Sequence, residues 1–174
     1  GGYVRAYSSL GYLHVSSDIK EAVRSYERAV AENVDDGGYS NTELGEIYLQ
    51  GYAGTPVDLK KALQYFLKGY EQGSAKSAVE LSMIYSTGNN FASVDYVKSF
   101  QYASFAAKMG QPMGHYNVSL NYFYGQGTQR NYERAAVHAL TAISLGNDNA
   151  MQLFKLNSLA GEFVRIVQKK LVGV

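Results

Sequence analysis

An aliphatic residue, a small residue and a tyrosine recur at a fixed interval along this chain. Leu44-Gly45 is followed by Tyr48, Leu81-Ser82 by Tyr85, and Val118-Ser119 by Tyr122, with 37 residues between successive copies. A second anchor trails each one: Lys61-Ala62, Lys98-Ser99 and Arg134-Ala135. Large residues follow, Tyr65 and Phe66, then Phe100 and Tyr102, then Val137 and Leu140, and each copy closes at a glycine, Gly73, Gly110 or Gly146. Within both halves of a copy the apolar residues are spaced by three and four, the period of a helix with one buried face. Between the halves lie the turn signals Gly51 with Gly54-Thr55-Pro56, Gly88-Asn89-Asn90 and Gly125-Gln126-Gly127. Each copy therefore reads as helix, loop, helix.

Side chains suited to capping stand just before the second helix, Asp18, Asp58, Asp95 and Asn131. Their oxygens satisfy amide groups that a helix start leaves free. The closing glycines stand where a helix must stop and suit a left-handed backbone. Gly45, Ser82 and Ser119 are expected where the two helices approach closely, facing Ala62, Ser99 and Ala135, because only short side chains permit that distance. Tyr48, Tyr85 and Tyr122 are assigned to the core. A single hairpin cannot bury its own faces, so neighbouring copies must stack.

An earlier, shorter copy is visible around Leu10-Gly11 and Glu21-Ala22. The expected units are 5–36, 39–73, 76–110 and 113–146 in a single domain of residues 1–174. The tail from 148 to 174 lacks the glycine loop but carries Phe163, Ile166, Val167 and Leu171 at helical spacing. It reads as a helical cap over the last apolar face, or else as a stripe that binds a partner domain.

The phrases LGEIY at 44–48, DLKKA at 58–62, LNYFYGQG at 120–127 and YERAA at 132–136 resemble the Sel1-like repeat, a relative of the tetratricopeptide repeat. The third copy departs in lacking a second loop glycine, and the first in having His14 in place of the tyrosine. The resemblance implies an all-α fold, a right-handed superhelical solenoid of helical hairpins. It also implies that the first helix of each unit lines a concave groove. Positions two and five residues either side of the anchor leucine then face a protein or peptide partner. On that basis Tyr12, Tyr39, Glu46, Lys76, Met83, Met113, Tyr116, Leu120 and Phe123 are the candidate partner-binding residues. Methionine adapts to irregular surfaces and aromatics anchor interfaces; packing between neighbouring units explains the same residues equally well. Family members are often bacterial and linked to the envelope or to host interaction.

Composition narrows the rest. Sixteen basic and fifteen acidic residues give a formal charge of +1, and no basic patch suggests nucleic acid. Sixteen tyrosines with seven phenylalanines and no tryptophan suit helices whose rims meet water. Cysteine is absent, which removes disulfides and cysteine chemistry. No apolar run reaches the roughly 18 residues that a membrane-spanning helix needs. The Gly1-Gly2-Tyr3 start reads as processed or engineered, so a soluble chain is expected in the cytoplasm, or in the periplasm or outside if a leader was removed. His14, His115 and His138 show no ligand spacing and are expected to be ordinary packing or surface residues. No catalytic centre, metal or cofactor is expected. An adaptor is the leading reading. A structural or regulatory assembly subunit, using a convex or terminal surface and open to self-association, is the alternative.

Overall fold

A computed structural model describes residues 19–32, 37–52, 54–89 and 92–150, with Gly161, Arg165, Ile166 and Lys169. Among the described residues the named elements are helices α1 (Ile19–Ala31), α2 (Tyr39–Gln50), α3 (Leu59–Glu71), α4 (Ala75–Thr87), α5 (Tyr96–Lys108), α6 (Pro112–Tyr124) and α7 (Tyr132–Ser144). No strand is present among them, only an isolated bridge between Tyr52 and Thr55 in a loop. The fold is all-α, built of helical hairpins at the repeat interval that the sequence sets. The chain forms two compact units, Gly1–Leu81 and Ser82–Val174.

The second helix of each copy buries one stripe at spacings of four and three. The stripes are Ala22, Tyr26 and Ala29 on α1; Ala62, Phe66 and Gly69 on α3; Ser99, Ala103 and Ala106 on α5; Ala135, Ala139 and Ala142 on α7. Spacings of four and three keep residues on one side of a helix. The alanines, Ser99 and Gly69 among them are small enough to let another backbone come close. First helices bury Leu44 with Ile47, Leu81 with Ile84, and Val118 with Asn121.

Asp58 Oδ1 accepts from Lys61 N at 3.0 Å, Asp95 Oδ1 from Lys98 N at 3.0 Å, and Asn131 Oδ1 from Arg134 N at 2.9 Å. Each cap thus takes up one free amide of its helix start, as the sequence predicts. The closing glycines Gly73, Gly110 and Gly146 have φ of 92°, 80° and 87°, values that side chains with a Cβ rarely adopt. Gly127 does more than turn the chain. A Cβ there would collide with the Tyr96 carbonyl oxygen, so the loop of the last hairpin lies directly on the start of α5.

Two sequence expectations need correction. Gly45 faces the Phe66 ring: an added Cβ would lie 2.5 Å from Phe66 Cε1. The aromatic, one turn beyond Ala62, reaches over the small residue and fills the gap itself. The repeated tyrosines are also less uniform than a core assignment implies. Tyr48 is buried, whereas Tyr85 and Tyr122 are partly exposed. Each ring packs flat against a side chain of the following helix with a cation above it, so one face is covered by charge instead of apolar side chains.

Candidate functional site

The stacks repeat with the hairpin. Tyr48 lies on Tyr65 with ring centroids 5.7 Å apart and planes 7° from parallel, and Tyr85 lies on Tyr102 at 5.7 Å and 15°. Tyr122 occupies the same place in the last hairpin, but its partner is His138, at 6.0 Å and 29°. Lys61, Lys98 and Arg134 sit over the three tyrosines at 4.8, 5.0 and 5.6 Å. The basic residue lies three positions after the N-cap and the stacked ring four positions after the basic residue, so one helical face carries both.

In the unit Gly1–Leu81, α2 and α4 present a charged cluster. Lys76 Nζ lies 2.7 Å from Glu46 Oε1 and 3.2 Å from Glu43 Oε1. Burial pulls the Lys76 ammonium down, but the Glu46 and Glu43 carboxylates outweigh it, and its pKa rises above the ordinary value. Glu80 is pushed up mainly by burial and further by Glu46. Beneath them Thr42 Oγ1 donates or accepts at 2.7 Å with both Ser74 Oγ and Ser77 Oγ, and reaches the Gly38 carbonyl at 2.7 Å. Of the candidate contacts in this unit, Glu46 and Lys76 hold each other, and Tyr39 packs edge-on against Tyr26 at 6.1 Å. Tyr12 lies outside the described residues.

In the unit Ser82–Val174, Met83 is 40% exposed. Tyr116 and Leu120 are half-buried on the cluster of Phe123, Ala135, Ala136 and Ala139, which Ile166 also joins. Met113 Sδ accepts from Asn147 Nδ2 at 3.7 Å. Phe123 departs from expectation: it is 7% exposed, within the core of its hairpin. Its position in the repeat pointed to a free face, but the alanines of α7 leave room that the ring fills.

Beside Leu120 lies an open depression lined by Ser86, Ser99, Asn117, Asn121, Tyr124 and Gln126. Asn117 Nδ2 donates to Ser82 Oγ at 2.6 Å. Asn121 takes the place that Ile47 and Ile84 hold in the earlier copies; it is 3% exposed, and its Nδ2 has no hydrogen-bond partner among the described atoms. Tyr124 stands out into solvent at 56% exposure.

The histidines were the features that the sequence undervalued. His115 Nδ1 and His138 Nδ1 are 3.0 Å apart. They are 23 residues apart in sequence, without any ligand motif, and only the α6–α7 hairpin brings them together. The available signal was the register, which puts His138 at the stacking position of Tyr65 and Tyr102. Both imidazoles have lowered pKa values. Burial is the main cause for each, and the charges of His115 and Arg134 add to it at His138. Among the described residues, no group of three or more His, Cys, Asp or Glu side chains converges as a metal site would. No described helix is long and apolar enough to cross a membrane.

Comparison with known proteins matches this arrangement. The Sel1 repeat profile fits residues 38–74, 75–111 and 112–147. The chain is 24% identical to the chitin synthase regulator SKT5 of Saccharomyces cerevisiae over 94% of its own length and 29% of that protein's. It is 29% identical to cytochrome c oxidase assembly factor 7A of Xenopus laevis, over 80% of this chain and 65% of the relative. To HRD3B of Arabidopsis thaliana, an ERAD-associated E3 ubiquitin-protein ligase component, it is 30% identical over 53% of this chain and 14% of the relative. The chain thus spans less than two thirds of the length of each of these relatives. Among solved structures, a Sel1 repeat protein of Oxalobacter formigenes superposes with a TM-score of 0.76 at 23% identity, over 90% of this chain and 64% of that one. A protective antigen of uropathogenic Escherichia coli superposes with a TM-score of 0.77, also at 23% identity, over 96% of this chain and 38% of that one. Three consecutive matches to the repeat, in register with hairpins whose caps, stripes and closing glycines recur at the same positions, show that this chain belongs to the Sel1 repeat family.

Proposed function

We propose that the chain is a non-enzymatic adaptor that holds a protein or peptide partner on the first-helix face of its hairpins. Sel1 repeats typically serve protein–protein interaction. The observation that carries the reading is the depression beside Leu120. It combines an apolar side chain, the exposed Tyr124 ring and the amides of Asn117, Asn121 and Gln126. Amides donate to and accept from a peptide backbone, while the ring and Leu120 cover its apolar side chains. Met83, Met113 and Tyr116 extend the apolar contact in the same unit. Tyr39, Glu46 and Lys76 give the first-helix face of the other unit a polar and aromatic surface of its own. Phe123 supports the face from beneath and makes no contact of its own.

The test is selection of a phage-displayed peptide library on the immobilised chain, followed by calorimetry with the selected peptides. Leu120→Glu and Tyr116→Ala are each expected to weaken binding by about 1–4 kcal/mol where they act as anchors, with the helical circular dichroism retained. Unchanged affinity in both variants removes this face from the proposal.

A second reading, assembly through the second-helix side, draws on Val94, Tyr96 and Val97. These are exposed apolar residues within one short stretch at the start of α5. Peptides whose binding depends on Val97 and not on Leu120 favour it.

A further inference from the structure

The last hairpin carries a titratable ring where the earlier ones carry a phenol, and a second imidazole meets it. The centroids of His115 and His138 are 5.2 Å apart with planes tilted by 34°. That separation is close to the greatest that the 3.0 Å Nδ1–Nδ1 distance allows, so the two nitrogens point at one another. A hydrogen bond at this distance needs one proton between them, and the tautomers set which ring donates it. A metal ion would need both lone pairs to converge beside the line between them, which this geometry does not offer. The residues equivalent to His115 in the earlier copies are Asn41 and Ala78, so the pair is peculiar to this hairpin.

Counting protons gives the behaviour. In the neutral pair one Nδ1 carries hydrogen and donates, and the other accepts through its lone pair. A first added proton goes to Nε2 of the donor ring and leaves the Nδ1–H to Nδ1 bond intact. A second must occupy the acceptor's lone pair. Two N–H groups then face each other and two charges are in contact. Such sites titrate as a pair, in separated steps.

The surroundings oppose charging. On α7, Arg134 acts electrostatically on His138, and both line a second open depression, separate from the one beside Leu120, together with Glu133, Val137, Asn131 and Tyr122. On α6, Tyr122 stacks on His138, and Arg134 Nη1 donates to its hydroxyl at 3.2 Å. From α5, the Ala107 carbonyl bonds His115 and favours its charged form, though burial outweighs it. Lys108 at the end of α5 is exposed, as are Arg165 and Lys169.

We propose that His115 and His138 form an acid-sensitive latch between α6 and α7, closed while the pair holds at most one extra proton and opened when both rings are charged. Opening turns His138 out toward the depression or parts the two helices. The sign follows from the direction of both shifts. A base whose folded pKa is depressed binds fewer protons in the folded chain than in the unfolded one. The latch's contribution is therefore full above the ordinary imidazole value of about 6.5 and is lost as pH falls through the lower folded values.

The experiment uses the full chain with nitrogen-15-labelled histidine. Long-range proton–nitrogen spectra across pH 4.5–8 report the protonation of each ring nitrogen. The expected result is opposite Nδ1 states in the neutral pair and two separated titration steps, both below the ordinary value. Independent titration of both rings near that value would overturn the proposal. Thermal unfolding of wild type and His138→Tyr, which restores the phenol of the earlier copies, gives a second readout. The drop in Tm from pH 7.5 to pH 5 is expected to be at least halved in the variant. Parallel drops would also overturn the latch, and if the variant fails to fold, the nitrogen spectra of the wild type decide alone.

Discussion

At Gly45 two opposing effects can be weighed. Alanine is favoured over glycine inside a helix by about 1 kcal/mol. An added Cβ, however, would lie 2.5, 2.6 and 2.9 Å from three atoms of the Phe66 ring. Phe66 has no exposed surface. Overpacking of this kind costs about 1–3 kcal/mol, so Gly45→Ala is expected to lower stability in a urea titration despite its better helix propensity. A gain would mean that the ring can retreat. Phe123 carries the complementary lesson: a large ring at a position assigned to a surface becomes core where Ala135, Ala136 and Ala139 of the facing helix leave room for it.

A helix of this chain is defined at its ends as much as along its face. The second helices α3, α5 and α7 each begin at a residue whose oxygen accepts the amide three positions on, and each ends within two residues of a left-handed glycine. The three caps are equivalent by repeat and similar in length, so their removal should have similar effects. Asp95→Ala is expected to cost about 0.5–2 kcal/mol, measured by thermal or urea unfolding, while Asp95→Asn is expected to cost much less. The loss has a backbone origin and should leave the Tyr85–Tyr102 stack in place. The same start places Lys98 above Tyr85, so one short segment sets both the helix boundary and the cation over the ring.

For the molecule as a whole, repetition makes stability a sum of local cores and the contacts between neighbouring copies. The unit Gly1–Leu81 buries Leu44 and Phe66 and carries the Asp58 cap, and the unit Ser82–Val174 buries Val118 and Phe123 and carries the Asp95 and Asn131 caps. Phe66→Ala empties a fully buried site and is expected to cost about 3–5 kcal/mol. Local opening follows cooperative blocks of structure, so amide hydrogen exchange should accelerate first and most in α2 and α3. Uniform acceleration over all described helices would show that the chain unfolds only as one block.

Much of this was written in the sequence because a repeat states its rules several times. The interval of 37 residues, the capping aspartates and asparagine, the closing glycines and the small residues all follow from backbone geometry, and backbone geometry is local. Helical hairpins and the family were therefore legible from Leu44-Gly45, Asp58 and Gly73 and their later counterparts. What side chains meet is not local. Spacing alone put Phe123 on a free face, yet the ring is buried, and it gave no sign that Glu46 and Lys76 pair with each other. The same limit hid the histidines. Nothing in a separation of 23 residues indicates contact; only the folding of α7 back along α6 brings the two Nδ1 atoms to 3.0 Å. The sequence by itself determined where helices start, stop and bury a stripe, because those depend on residues within one or two turns. The tertiary structure alone decided which of the remaining side chains face water and which face one another.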